Sequence, residues 1–516
     1  RSGMVLDLQR DRGTGGTGGS SESADKEGSA EAKTAAEFAT QSTFVGWDFD
    51  GTWSMDNILG RPVLAAIAET DYFSGEGTAE SPYLIPDLAT LEAFREYVNA
   101  GSGAGEYFKL TADIDMSEKY GADIGGSEVS WTPIGNNAKP FKGNFDGGGH
   151  KISGLYINST SDYQGLFGYV GEGGTVQDLG VDGTVSGSGC VGGVVGIINN
   201  GTVTSCYNTG DVSGGEAVGG VVGYNGGTVT NCYNTGTVRD INDANEQAAT
   251  GYQIGGVAGG NDRTVTNCYY LTGTAVGGIN GADAEGGAEA KTAEQFAFGE
   301  VAYLLQGEQT EQIWGQTVAS AAESKDASPV LTSDSAKKIY KVTFAAAESS
   351  EYAVKYANPT GVSSMPDAPT GEVGFAFEKW TLGGAEFTAE TPVTEDITVT
   401  AGWLNHPTYT VTIPTQVSIG GTAEIKAENV NIAEGYLLNV TLSECDFILK
   451  TAEGAQLKYT VTKGEKAVGV NDTVLTVEGG TADDSGTAKF AFNLADGESI
   501  TYAGAYTGTV IFTVSV

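Results

Sequence analysis

Few residues of this chain combine the type and the spacing that catalysis or metal binding requires. The 516 residues include two histidines, His150 and His406, and no HExxH pattern. A zinc site of that kind and a histidine-activated nucleophile are therefore not predicted, and His150 is expected in a turn. The aspartates that the fold could bring together in pairs are Asp113, Asp115, Asp146, Asp178 and Asp182.

These aspartates can be weighed against the needs of carbohydrate chemistry. Hydrolysis uses two carboxylates about 5–10 Å apart, and elimination uses a base with a cation or metal beside the sugar. Residues 152–238 contain no Lys, Arg or His. We therefore expect the aspartates to cap turns on a polar face with nothing basic nearby, and we predict no enzymatic activity. A carbohydrate-active enzyme is kept as an alternative.

One acidic loop places oxygen ligands at alternating positions. It is the stretch DINDAN, which contributes Asp240, Asn242, Asp243 and Asn245. The pattern lacks the loop glycine and the bidentate glutamate of an EF-hand, so a solvated acidic loop is the alternative. Calcium is accordingly the one cofactor that the sequence allows, and no other is predicted.

Composition narrows the class of protein and its partners. The formal net charge is −39, and 78 residues are glycine. Such an acidic surface repels nucleic acid and anionic lipid, so neither is predicted as a partner. No apolar run reaches the roughly 18 residues of a membrane span, so this chain is not expected to insert into a membrane. Short Val/Ile/Thr/Tyr runs between glycines indicate an all-β fold.

The middle of the chain consists of internal repeats of about 25 residues. They are QGLFGYVGEGGTVQDLGVDGTVSG, VGGVVGIINNGTVTSCYNTGDVSG, VGGVVGYNGGTVTNCYNTGTV and IGGVAGGNDRTVTNCYYLTGTAVGG. Gly192, Gly219 and Gly255 mark one step, so the periods are 27 and 36 residues, the longer one carrying an insert. A unit of this length with several short apolar pulses predicts a β-solenoid, in which each repeat forms one rung.

Three columns of side chains follow from stacking these repeats. Cys206, Cys232 and Cys268 are predicted to face inward as small hydrophobic groups, and the odd count of five cysteines argues against a disulfide framework. If Val203 and Cys206 both face inward, a corner or a bulge must lie between them, because a flat strand alternates faces. The other two columns contain the candidate ligand-binding residues. One is a tyrosine column, Tyr207, Tyr233 and Tyr269, which could be exposed or turned inward. The other is an asparagine ladder, Asn208 and Asn234.

A short amphipathic helix is predicted before the repeats. Leu88, Leu91, Phe94 and Val98 fall on one helical face behind a capping residue, Asp87. Such a helix would seal the open end of a solenoid, which otherwise exposes strand edges.

The phrase GGVVG…GTVTNCYNTG resembles the GLUG-type repeat of bacterial surface proteins, over about residues 163–275. The resemblance implies a right-handed β-helix on a secreted or cell-surface protein, as in adhesins and in the region ahead of the catalytic part of immunoglobulin A peptidases. Because no HExxH pattern is present, the peptidase activity is not carried over.

A nonapeptide occurs twice, as EAKTAAEFA at 31–39 and as EAKTAEQFA at 289–297. Each copy is followed by Trp and then by Pro-Val-Leu, at 62–64 and at 329–331. The second copy is predicted to begin the closing cap of the repeats. The first copy is expected to close an earlier array in a longer protein.

Two further β modules are predicted after the repeats. GFAFEKWTLGG and ITVTAGW resemble the Listeria–Bacteroides repeat, which implies a small β-grasp-like module, and its aromatic residues are expected to form its core. The short alternating runs that follow predict an Ig-like β-sandwich.

The expected organisation has five parts. They are a flexible N-terminus with a closing cap (1–67), an N-terminal helical cap with the first rungs (68–162), GLUG-type repeats with their closing cap (163–335), the β-grasp-like module (336–404) and the sandwich (405–516). The sequence favours a non-catalytic adhesin at the bacterial surface, whose β-helix binds a host or bacterial glycan or protein. A structural spacer is the alternative.

Overall fold

The computed structural model describes residues 53–56, 61–64, 73–241, 253–319, 325–347 and 350–516. The chain divides into two compact units, residues 1–339 and 340–516. Strands dominate both units, which confirms the all-β class. The first nonapeptide lies outside the described residues.

Three parallel sheets build the repeat region of the first unit. The first sheet contains Tyr83–Ile85, Tyr107–Leu110, Asn144–Asp146, Phe167–Val170, Thr175–Gln177, Val195–Thr204, Val222–Thr230, Ala258–Asn261 and Thr264–Thr266. The second contains Ile114–Asp115, Lys151–Asn158, Gly180–Ser186, Tyr207–Asn208, Asp211–Gly214, Tyr233–Asn234, Val238–Asp240, Cys268–Leu271 and Ala288–Lys291. The third contains Gly189–Gly192, Glu216–Gly219 and Ile254–Gly255.

Successive repeats pair in register, so equivalent residues lie beside one another. Val176 pairs with Val203, Val203 with Val229, and Val229 with Val265. All four valine side chains are buried in one core. We call this assembly the repeat stack and each repeat a rung. Apolar residues at the same position of each rung therefore form continuous buried columns.

A sharp corner joins the first sheet to the second in three consecutive rungs. Ser205, Asn231 and Asn267 occupy it with φ of 50°, 53° and 51°. Asn adopts this left-handed conformation more readily than most residues. The corner lies between the inward valine and the inward cysteine of each rung, so of the two alternatives predicted between Val203 and Cys206, a corner or a bulge, the structure has the corner.

The predicted cysteine column is also confirmed. Cys206, Cys232 and Cys268 are fully buried, and all five cysteines are free thiols. Burial raises the pKa of the Cys232 and Cys268 thiols well above the ordinary value, so these thiols stay protonated.

The predicted N-terminal helix runs from Leu88 to Ala100. The carboxylate of Asp87 accepts a hydrogen bond from the Thr90 amide at 2.8 Å, which caps the helix as predicted. Phe94 is fully buried and contacts the inward Phe145 with ring centroids 5.4 Å apart. The apolar face of the helix thus joins the core of the first rungs. The hairpin Gly121–Ile124 with Ser127–Val129 follows.

The segment from Glu289 to Leu331, which we call the covering segment, does more than close the end of the stack. Its first residues belong to the strand Ala288–Lys291, which pairs with the last rung. Two short helices and a two-strand hairpin follow, and they pack along three rungs rather than on the last rung alone. Their bounds are Ala293–Ala297, Glu300–Gln306, Trp314–Gly315 and Val330–Leu331, and a 3-10 helix, Ser335–Lys337, comes after them.

The second unit contains a six-stranded sheet and two facing sheets with a separate core. The six-stranded sheet has the order Gly361–Val362, Ser350–Asn358, Tyr340–Ala347, Ile397–Asn405, Phe375–Leu382 and Ala385–Glu386. The larger facing sheet contains Thr408–Thr412, Thr422–Asn431, Asp484–Leu494, Gln456–Lys463, Ile448–Lys450 and Lys466–Ala467. The smaller one contains Thr473–Glu478, Leu437–Cys445 and Val510–Ser515.

Candidate functional site

The tyrosine column predicted from the repeats is formed. Tyr207 pairs with Tyr233, and Tyr233 pairs with Tyr269, on consecutive rungs. The rings of Tyr207 and Tyr233 are parallel within 3° and 5.0 Å apart. Each tyrosine follows an inward cysteine, so the alternation of the strand directs it to the outer side of the second sheet.

The covering segment lies over this column. Tyr233 and Tyr269 are 1% and 6% exposed, and Trp314 and Phe296 lie 5.5 and 5.6 Å from the Tyr233 ring. An exposed stacking strip for a ligand is therefore not present at Tyr233 and Tyr269, which corrects one of the two interpretations left open by the sequence. The rings form a satellite core of the first unit instead.

The asparagine ladder is confirmed, and its polar atoms are used within the stack. The Asn208 amide nitrogen donates to the Asn234 side-chain oxygen at 2.8 Å and to the Gly210 carbonyl at 2.7 Å. The Asn234 amide nitrogen likewise donates to the Gly236 carbonyl at 2.8 Å. Both side chains are buried, so Asn208 and Asn234 hold the turns of adjacent rungs together and present no surface to a ligand.

The predicted calcium loop can be placed only at its start. Asp240 ends the strand Val238–Asp240 and is half-buried. Asn242, Asp243 and Asn245 lie outside the described residues. Within the described ranges, no group of three or more His, Cys, Asp or Glu side chains could hold a metal ion.

Pairs of opposite charge lie on the first rungs, where the sequence predicted no basic partner for the aspartates. Lys109 contacts Asp146 at 2.8 Å, and Lys151 contacts Asp182 at 3.2 Å. The His150 ring contacts a third carboxylate, that of Asp113, at 3.1 Å. This corrects the expectation of isolated aspartates. An alignment of Phe108 with Phe145 in the sequence would have placed Lys109 beside Asp146.

Two of the five aspartates, Asp146 and Asp115, also cap turns, as predicted. Asp146 accepts a hydrogen bond from the Gly148 amide at 2.7 Å, and Asp115 accepts one from the Ser117 amide at 2.9 Å. His150 lies in the turn predicted for it, and its amide donates to the Gly147 carbonyl at 2.9 Å.

Asp178 differs from the other aspartates because it lies at the corner in a partly buried environment. Burial, reinforced by the neighbouring charge of Asp146, raises its pKa to about 6, against the opposing effect of Lys109. Tyr207 lies on the adjoining sheet, and burial together with Asp113 and Asp182 raises its pKa to about 12. We call the polar patch of Asp113, His150, Lys151 and Asp182, beside Tyr207, the entrance cluster.

Comparisons with known proteins support the GLUG-type resemblance of the repeats. The family described as "The GLUG motif" matches residues 214–239. A "Putative Gly-rich membrane protein" of Evansella cellulosilytica is 40% identical over 146 residues, which is 26% of this chain and 16% of that protein. "Halomucin" of Haloquadratum walsbyi is 35% identical over 167 residues, 30% of this chain and 2% of that protein. The chain therefore aligns with a small part of each relative. No solved structure matches.

Proposed function

We propose that this chain is a non-catalytic segment of a bacterial surface protein, in which the repeat stack is a right-handed β-helix that serves as a rigid spacer. One observation carries the proposal: the tyrosine rings and asparagine amides that would have formed a ligand-binding strip are buried in contacts within the first unit. Tyr233 is covered by Trp314, and Asn208 is bonded to Asn234. Because the repeated tyrosines and asparagines are buried, they are not available to a ligand. A repeat stack without such a binding strip is suited to connecting other parts of a protein.

Rigidity follows from the contacts between rungs. Amide pairs join Asn208 to Asn234 and Asn225 to Asn261, the latter at 2.7 Å. A hydroxyl pair joins Thr204 to Thr230 at 3.0 Å. Because each rung is bonded to the next at several points around the stack, bending at one rung interface requires several hydrogen bonds to break together.

The proposed location is outside the cell. The names of the two relatives refer to a membrane protein and to a halomucin, and the strongly acidic composition suits a surface that must stay soluble. Within the described residues, no helix combines the length and the apolar character of a membrane span.

The second unit is proposed to act as a stalk built from two modules. In the six-stranded sheet, Tyr340–Ala347 pairs in parallel with Ile397–Asn405 among antiparallel neighbours, an arrangement that fits a β-grasp-like module of the Listeria–Bacteroides type. Trp380 is 4% exposed and packs on Phe344, which supports a structural role for its aromatic residues. The two facing antiparallel sheets fit an Ig-like sandwich.

A second candidate function is adhesion, and the entrance cluster favours it. Lys151, Asp182 and His150 are partly exposed, and they offer donors and acceptors next to the ring of Tyr207. Hydroxyl-rich sugars bind to such combinations of charged groups and an aromatic face. The partner of this candidate is a glycan or a glycosylated protein.

Binding of the intact chain to a broad glycan and mucin array separates the two candidates. Circular dichroism confirms beforehand that the chain is folded. The spacer role predicts no specific signal, with or without a calcium chelator. A signal that disappears in H150A/K151A but persists in K139A, which removes an exposed cation outside the cluster, would establish adhesion. A signal unaffected by both variants would contradict both candidates.

A further inference from the structure

We infer that the two facing sheets of the second unit hold between them a binding site for an uncharged molecule with an apolar body and a hydroxyl group, such as a long-chain alcohol. The stalk role proposed for this unit does not require such a site, and neither does the spacer role of the repeat stack. The observations that carry the inference all lie within residues 413–512.

A cavity of 920 Å³ lies between the two sheets, where the strand Thr422–Asn431 begins and the strand Asp484–Leu494 ends. Its inner wall includes Phe490 and Phe492 of the larger sheet, which are buried, and Phe512 of the smaller one. Voids left by ordinary packing are few and rarely larger than a water molecule, so packing alone does not account for this cavity. Its volume lies in the range of roughly 300–1,000 Å³ that small-molecule sites have.

The lining of the cavity is uncharged, although the chain as a whole is strongly acidic. Among the described residues that border it there is no Asp, Glu, Lys, Arg or His, whereas the formal net charge of the chain is −39. A neighbouring cleft, which shares Thr507 and Gly508 with the cavity, is bordered by Glu444, Asp446 and Lys450. A charged ligand in the cavity would lose hydration without gaining a partner of opposite charge, so the lining selects a neutral molecule.

Most polar side chains of the lining lie at the mouth of the cavity. Thr415, Gln416 and Ser418 belong to an exposed loop that borders it. Their hydroxyl and amide groups can both donate to and accept from a hydroxyl group of a ligand. Deeper in the lining, the hydroxyl of Tyr459 is already hydrogen-bonded to Sγ of Cys445 at 3.1 Å. The cavity therefore suits a molecule whose apolar body lies inside and whose hydroxyl group faces the mouth.

A second loop leaves apolar side chains at the mouth in water. Ile500 borders the cavity and is 69% exposed, and Tyr502, two positions later, is 65% exposed. The far end of this loop is held by Thr507, which exchanges two backbone hydrogen bonds of 2.9 Å with Lys450. A ligand with an apolar body would cover Ile500 and remove it from water, which favours binding.

Displacement of a neutral fluorescent probe, N-phenyl-1-naphthylamine, from the full chain tests the inference. 1-Decanol should displace the probe. Decanoate and decylammonium, which have the same chain length, should compete at least about tenfold less well, because neither charge finds a partner in the lining. If either charged compound competes as well as decanol, the inference is overturned, and strong binding of decylammonium alone would indicate association with the acidic surface. A folded chain that binds neither the probe nor decanol would also overturn it.

Matched variants locate the site. Leu494 borders the cavity, whereas Asn493, the residue before it on the same strand, is exposed on the opposite side. Leu494→Asp should weaken decanol binding at least about tenfold, since the ligand would strip water from an unpaired carboxylate. Asn493→Asp adds the same charge and should leave binding unchanged.

A second variant covers the case in which Leu494→Asp fails to fold, which circular dichroism would reveal. Val417 borders the cavity on the exposed loop, where a substitution does not disturb the core, and Val417→Asp should also weaken binding. Binding by Val417→Asp or by a folded Leu494→Asp that equals that of the unaltered chain would contradict the inference. Such a failure would leave the spacer proposal to the array experiment, which does not involve this cavity.

Discussion

The hydroxyl of Tyr233 donates a hydrogen bond to the carbonyl oxygen of Pro329, 2.7 Å away and 96 positions later in the chain. This contact joins the middle of the tyrosine column to the residue just before the strand Val330–Leu331. With the Ser328 hydroxyl, 3.3 Å away, it satisfies the one polar atom of a side chain whose ring packs against apolar groups. The covering segment is thus matched to the column by hydrogen bonding as well as by packing.

Trp314→Ala should destabilise the first unit by about 3–5 kcal/mol, because it removes a fully buried ring and leaves a cavity against Tyr207 and Tyr233. Urea unfolding followed by circular dichroism measures the change. Glu308→Ala alters an exposed residue of the same segment and should have almost no effect. Equal stability of the two variants would contradict the described packing.

Asn234→Ala should cost about 1–3 kcal/mol, since it leaves the buried Gly236 amide and carbonyl and the Asn208 side chain with fewer partners. The exposed Asn137→Ala serves as the control in the same unfolding experiment. Asn208→Ala combined with Asn234→Ala should cost less than the sum of the single changes, because both remove the same bond. Strict additivity would argue against a ladder.

The reactivity of the five cysteine thiols should decrease as their burial increases. At pH 8 Cys445 should react first with a thiol reagent, and Cys190 more slowly because burial and nearby acids raise its pKa to about 11. The fully buried Cys206, Cys232 and Cys268 should react only after unfolding. Peptide mapping of the labelled protein measures the order. Rapid labelling of the column in the native chain would contradict the inward placement.

Asp178→Asn should stabilise the first unit at pH 7.5 by about 1–3 kcal/mol, the range set by a folded-state pKa of about 6 against an ordinary value of 3.8. The folded state holds the Asp178 proton more tightly than the unfolded state, so the contribution of Asp178 to wild-type stability falls between pH 4 and 6 and stays lower above pH 6. Asparagine also suits φ of 52° at this corner, as at Asn231 and Asn267. The two proteins should differ much less at pH 4, and a difference independent of pH would rule out ionisation as the cause.

The sequence predicted the features that repeat. The spacing of the cysteines predicted their column, the recurrence of Asn208 and Asn234 predicted a ladder, and the alternation of a strand required a corner or a bulge between Val203 and Cys206. Asp87 and the face carrying Phe94 predicted the N-terminal helix. In each case the signal lies within one rung or one helix turn, where local geometry determines direction.

The features that were missed depend on contacts between distant parts of the chain. Nothing in the local pattern around Tyr233 indicates that Trp314 covers it, because burial on the outer side of a strand depends on what packs there later in the chain. The contact between Lys109 and Asp146 spans 37 positions before the regular period begins, so the repeat spacing could not supply the register.

Chemical footprinting of the tyrosines in the unaltered chain tests most directly whether the column is structural. Tetranitromethane modification is followed residue by residue under native conditions. Tyr436 and Tyr502, which are 48% and 65% exposed, should be modified readily, whereas Tyr233 and Tyr269 should be protected until the chain unfolds. Modification of Tyr233 as fast as that of Tyr502 would show an open strip and contradict the spacer account.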